Sequence, residues 1–261
     1  VCEADFSDCI CVLEPNLDFT KVTHLALGLG GHPGEALDVD GNSETCAPAA
    51  DCSAGKDNAL GLISTFANPA IADAVQQGDV ALVVSFEGHE TGSFLLGVYE
   101  AKPVGWDCDW QSETCAYNLD SDSVNPITCL PVIALDATSD GATVTAGGPG
   151  YLFPFSLPLA GGVSLEVVVH DTQLVASYQT DGNGNVTGFD GVLGGAISKA
   201  ALYAAIDALP DEGLPIDKAL ILAVMEAVEA DIDTDGDGVG DASSIGFTLE
   251  GIDAIAAGFQ D

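Results

Sequence analysis

The sequence predicts a mainly β protein: an antiparallel β-sandwich with a helical-hairpin insertion and long loops that bear metal ligands and disulfides. Three observations lead there. Apolar residues alternate with small or polar ones in short runs, the period of a strand with one buried face. Glycine-rich turns separate the runs, so the strands are many and short. Helical periodicity is confined to a few stretches between them. No internal repeat is visible, and the chain reads as one domain over 1–261.

Residues 1–18 form a cysteine-rich lead-in. The first strand is expected at 19–29, where Leu25, Leu27 and Leu29 alternate with Ala26 and Gly28. A long loop follows over 30–58. Asp57 is placed to cap a helix with the stripe Leu60, Ile63 and Phe66; Asn68-Pro69 restarts that helix and Gly78 ends it. Val80, Leu82, Val84 and Phe86 mark the inner face of a strand at 79–87. Gly88–Thr91 turns the chain, and 92–101 returns with Phe94, Leu96 and Val98 inward. A cysteine-bearing loop at 104–128 carries Trp106 and Trp110. Strands are expected around 129–137, 141–147, 151–157, 163–170 and 172–180, the last closed by the Asp181–Asn185 turn. Leu202, Ala205, Ile206 and Leu209 form one helical stripe; Ile221, Val224, Met225 and Val228 form another. These two helices are the insertion, about 194–230. A closing strand at 245–256 carries Ile245, Phe247 and Leu249.

The charge is extreme. Against 41 acidic residues stand five lysines and no arginine, for a net charge of −36. Nucleic acid and anionic membrane surfaces are excluded as partners, because both need clustered cationic residues. Self-repulsion on this scale opposes compaction unless bound cations or a saline medium offset it. Cysteines stand at 2, 9, 11, 46, 52, 108, 115 and 129. The even number and the close pairs Cys46/Cys52 and Cys108/Cys115 predict disulfides, and with them an extracellular or cell-surface setting. No apolar run of 18 residues exists, so no transmembrane segment is expected.

The strongest motif is Asp231–Asp241, D-I-D-T-D-G-D-G-V-G-D. Ca²⁺ takes six to eight oxygens, and a chain supplies them from alternate residues while glycines allow the tight turn. Asp233, Asp235 and Asp237 stand at positions 1, 3 and 5 of an EF-hand frame. Val239 offers its carbonyl at 7, Asp241 stands at 9, and Ser244 occupies position 12 instead of glutamate. The stretch, 231–244, resembles the calcium loops of thrombospondin type 3 repeats and other incomplete EF-like loops. A second alternate-oxygen pattern, Asp38, Asp40, Asn42 and Glu44, lies in the long loop and marks a second Ca²⁺ site. Asp181, Asn183 and Asn185 read first as a hairpin turn, with cation binding as the alternative.

Two stretches together carry a wider resemblance: L-D-V-D-G-N through E-T-C-A-P-A-A-D-C-S-A-G-K-D-N-A-L-G (Leu37–Gly61), and A-L-P-D-E-G-L-P followed by the calcium loop. They resemble uncharacterised secreted proteins and lipoproteins of myxobacteria and related bacteria. That resemblance implies a bacterial extracellular setting and metal loops, and brings no activity.

No H-E-x-x-H, G-x-S-x-G, phosphate-binding glycine loop or dinucleotide fingerprint is present. The four histidines are scattered, and with so many acids any chosen carboxylate pair carries little information. The expectation is a non-enzymatic, calcium-stabilised structural or adhesive surface protein, with self-assembly into a filament or layer through sheet edges or cation bridges. The alternatives are a carbohydrate-binding module using Trp106 and Trp110 on surface glycans, and a secreted hydrolase.

Overall fold

The structure, a computed structural model, describes residues 11, 18–30, 32, 34–49, 54–105, 108–159, 163–209 and 218–260. Its strands are β1 (Phe19–Leu27), β2 (Leu82–Ser85), β3 (Ser93–Pro103), β4 (Cys115–Asp120), β5 (Ile133–Ser139), β6 (Thr143–Gly147), β7 (Leu152–Leu159), β8 (Val163–Thr180), β9 (Val186–Ser198) and β10 (Ala242–Gln260). The helices are α1 (Ser64–Gln77), α2 (Lys199–Ala208) and α3 (Lys218–Ala227).

The expected sandwich does not form. The sheet closes into an eight-strand antiparallel β-barrel, in the order β1-β2-β3-β5-β6-β8-β9-β10 and back to β1. Two long-range pairings make the difference. β3 pairs β5 across Val98↔Ile133, and the first and last strands pair from Phe19↔Ala254 to Leu27↔Phe247. Alternation reports which side chains face inward, and it is the same for a sandwich and a barrel; closure is decided by those pairings. An eight-strand barrel is just wide enough for side chains to fill it. Leu96, Leu135, Val144 and Val169 do so, joined by Leu82, Val84, Phe247 and Leu249 in one apolar cluster.

Two strands lie outside the ring. β4 pairs β3 and runs parallel to the end of β10, covering a second cluster of Phe19, Val83, Tyr99 and Leu119 on the outer wall. It sits inside the stretch expected to be a cysteine loop. β7 pairs only β8, with Phe155 edge-on to Phe247. β8 is one strand where two were expected, with its irregularity at Asp171, at φ 53°. β9 occupies 186–198, including residues expected to start the helical insertion, so the helical pair begins at Lys199. Gly191, Gly194 and Gly195 break the apolar alternation that would have announced β9.

α1 runs through Pro69 without a restart. Asn68 does not cap it; its amide instead accepts from Leu27 N at 2.7 Å and donates to Leu27 O at 2.9 Å, pinning α1 to the end of β1. Gly78, at φ 76°, terminates the helix. α2 and α3 cap each other. Lys199 at the start of α2 donates to Val228 O just past α3 (2.6 Å), and Lys218 at the start of α3 donates to Asp207 O (2.6 Å) and Leu209 O at the end of α2. Each ammonium meets carbonyls at the negative end of the other helix.

Disulfides join Cys11 to Cys129 and Cys108 to Cys115, the second being the expected local pair. Cys46 is also disulfide-bonded, and Cys52 lies outside the described residues. No helix among the described residues is long and apolar enough to cross a membrane.

At one rim of the barrel, where the chain enters at Asp18 and the turns 86–92, 140–142 and 181–185 lie, Phe86 packs against Tyr178 and Phe189. The other rim, where Leu27, Ser198 and Ala242 lie, carries both acidic loops. A bare patch receives the first of them. Gly194 and Gly246 are paired neighbours on β9 and β10, and a Cβ on either would come within about 3 Å of Leu37 or of Glu35 O.

Candidate metal centre

The loop 34–58 folds back on itself so that Leu37 and Ala47 both bridge to Asp57. This brings Asp57, 17 residues on from Asp40, against the start of the loop. Asp57 is not a helix cap: a 3₁₀ turn at Ala59–Ile63 follows it, with Asn58 at the N-cap position. Its Oδ2 accepts from Val39 N at 2.9 Å and from Asp40 N at 3.4 Å. The carboxylates of Asp38, Asp40 and Asp57 converge with oxygens within 4.8 Å of one another, a set able to hold a metal ion.

Three features distinguish this cluster from a solvated acidic surface. Asp57 is only 2 % exposed. Asp38 Oδ1 is sealed from solvent and accepts no hydrogen bond. No lysine among the described residues forms an ion pair with any of the three. Burial pushes the Asp57 carboxyl up to about 7, against the Val39 hydrogen bond, with the charges of Asp40 and Asp231 adding to the rise.

Of the residues expected beside Asp38 and Asp40, Glu44 is outside the carboxylate cluster, and both Asn42 and Glu44 are exposed. Asn42 N donates to Asp40 Oδ1, Glu44 N donates to Asn42 Oδ1, and Thr45 Oγ1 donates to Asp40 Oδ2. They shape the turn that presents Asp40. Asp57 escapes a reading based on spacing because it joins the cluster through the fold of the loop.

The second loop brings together Asp233, Asp235 and Asp237, again with oxygens within 4.8 Å, and all three are exposed. Gly236 and Gly238 have φ of 79° and 87°, the left-handed turn that glycine permits. Their N–H groups donate to the two oxygens of Asp233 at 2.7 Å each and hold its carboxyl below the usual range. Asp241 is not in the cluster. Its carboxylate accepts from Thr234 N and Oγ1, which likewise lowers its pKa. Val239 exposes its side chain, and its N–H donates to Asp237 Oδ1. Ser244 turns away from the loop's centre: its N and Oγ donate to half-buried Asp231 at 2.8 and 2.5 Å. In the hairpin at 181–185, the Asp181 carboxylate accepts from Asn183 and Asn185 and acts as a turn residue.

Of the aromatic residues considered for sugar stacking, Trp106 lies outside the described residues. Trp110 is half-buried, against Gly78 and the outer cluster under β4. Beside it, Lys21 is buried, donates to Glu113 O at 2.7 Å and lies over the Tyr117 ring; burial lowers its pKa to about 8.

No family model, no curated protein and no solved structure matches this chain.

Proposed function

We propose that the protein is an extracellular, calcium-stabilised structural or adhesive component of a bacterial surface, and that it is not an enzyme. One observation carries this reading: Asp38, Asp40 and Asp57 are folded together at the barrel rim with a sealed, unpaired carboxylate oxygen and, among the described residues, no lysine ion-paired with them. Buried carboxylates are tolerated when paired or metal-bound. Ca²⁺ fits best among hard cations, because it accepts all-oxygen sets of irregular geometry on flexible loops, whereas Mg²⁺ demands near-ideal octahedra. The disulfides support an oxidising compartment.

The closed barrel bears on the form of any assembly. The strands of the ring pair on both sides, and beyond it β7 and the start of β8 form a two-stranded ribbon in which β7 carries Pro154 and Pro158, which lack the N–H that strand addition needs. The association this reading favours is through divalent cations bridging acidic surfaces.

Calorimetry of the chelator-stripped protein with Ca²⁺, paired with thermal unfolding, tests the cation reading. Binding at each triad is expected to add about 2.7 kcal/mol at a hundredfold excess over Kd. Failure to take up Ca²⁺ in the millimolar range would overturn the proposal.

A further inference from the structure

We infer that the Asp38–Asp40–Asp57 centre is a cation-operated latch: an ion held there fixes residues 34–49 and 54–58 on the barrel rim and thereby orders the base of the second acidic loop. The inference rests on the cation reading above and adds what the ion controls.

The sealed Asp38 Oδ1 and the nearly unexposed Asp57 point to an ion at this site rather than to a solvated turn. Two physical links lead from it to the other loop. The first is packing. Val39, between Asp38 and Asp40, shares a small apolar cluster with Ala196, Ala242 and Ile232. Ile232 is the base of the second loop, exchanging backbone hydrogen bonds with Ala242. The second link is polar. Ala59 N, two residues past Asp57, donates to Ser244 Oγ at 2.8 Å, and that hydroxyl donates to Asp231 at 2.5 Å. Asn58 strengthens the same seam, its amide bonded to Gly28 O and Gly246 N.

With the first site empty, repulsion among its carboxylates drives Asp38 and Asp40 away from Asp57. Val39 then withdraws from Ile232, and the Asp57–Ala59 segment loosens its hold on Ser244. An ion reverses both movements. The coupling is one of ordering: the element that both loops share is formed or frayed as a unit.

The test is hydrogen exchange followed by mass spectrometry, with chelator and with millimolar Ca²⁺, on four proteins: the parent, D235N/D237N, D40N/D235N/D237N and V39A/S244A/D235N/D237N. The double variant strips charge from the exposed second triad. Calcium is still expected to protect amides 231–244 in it by about tenfold, the size of a typical coupling. Adding D40N to the double variant should remove that protection. Adding V39A and S244A to the double variant should leave Ca²⁺ uptake at the first site with the protection at 231–244 lost. Uptake of Ca²⁺ by D235N/D237N with no protection at 231–244 would overturn the latch and leave the cation reading standing. No uptake by any of the proteins would overturn both.

Discussion

Burial of the Asp57 carboxyl ties the stability of the candidate site to pH. The carboxyl ionises near 3.8 in an unfolded chain but holds its proton up to about 7 in the folded one. Stability from the protonated form is therefore complete below about 3.8 and is lost as pH rises toward 7. In chelator, the urea midpoint should fall between pH 4 and 7, and Asp57→Asn should flatten that fall. Saturating Ca²⁺ should reverse the trend in the parent, because the ion favours the ionised carboxylate. Asp57→Asn should also be more stable than the parent in chelator at pH 8, by on the order of 1–3 kcal/mol. A variant less stable than the parent under those conditions would mean that Asp57 is held by protein contacts alone. Its place in the site was hidden from the sequence because ligand spacing is a local signal, and the contact spans a loop closed by the Leu37 and Ala47 bridges.

The helical pair makes a prediction at the level of elements. With five lysines in the chain, two are used to cap α2 and α3 reciprocally, through Val228 O and through Asp207 O and Leu209 O. Lys199→Met and Lys218→Met should each cost about 1 kcal/mol by denaturant unfolding. The costs should add in the double variant, since the caps sit at opposite ends of the pair. Other elements were legible to different degrees, for physical reasons. β2, β3 and the start of β10 announce themselves because Leu82, Val84, Leu96, Val98, Ile245 and Phe247 alternate toward one interior. β9 does not, because its glycines make room for neighbours: a Cβ at Gly195 would lie 2.4 Å from Val169, and one at Gly194 would meet Leu37. α1 runs on past Pro69 because its place is set by Asn68 on Leu27 and by buried Ile71 and Ala74, contacts that lie far off in sequence.

At the level of the whole molecule, the sheet guards itself against its own kind. The ring removes edges, and Pro154 and Pro158 blunt β7, the strand left over. Replacing both prolines with threonine should promote association at high concentration, seen by light scattering as particles that persist in chelator. A monomer under those conditions would show that β7 is protected by something other than its prolines. Closure has a further consequence, in time rather than in space. The pairing that completes the ring joins Phe19–Leu27 to Phe247–Ala254, so β1 waits for a partner made more than two hundred residues later. Contacts of such separation fold slowly, since the intervening chain must be drawn in before any reward is gained. During synthesis the strands can collect into arcs, but none can be a barrel. The last strand to emerge is the one that turns a sheet into a closed wall and brings Ile245 and Phe247 into its interior.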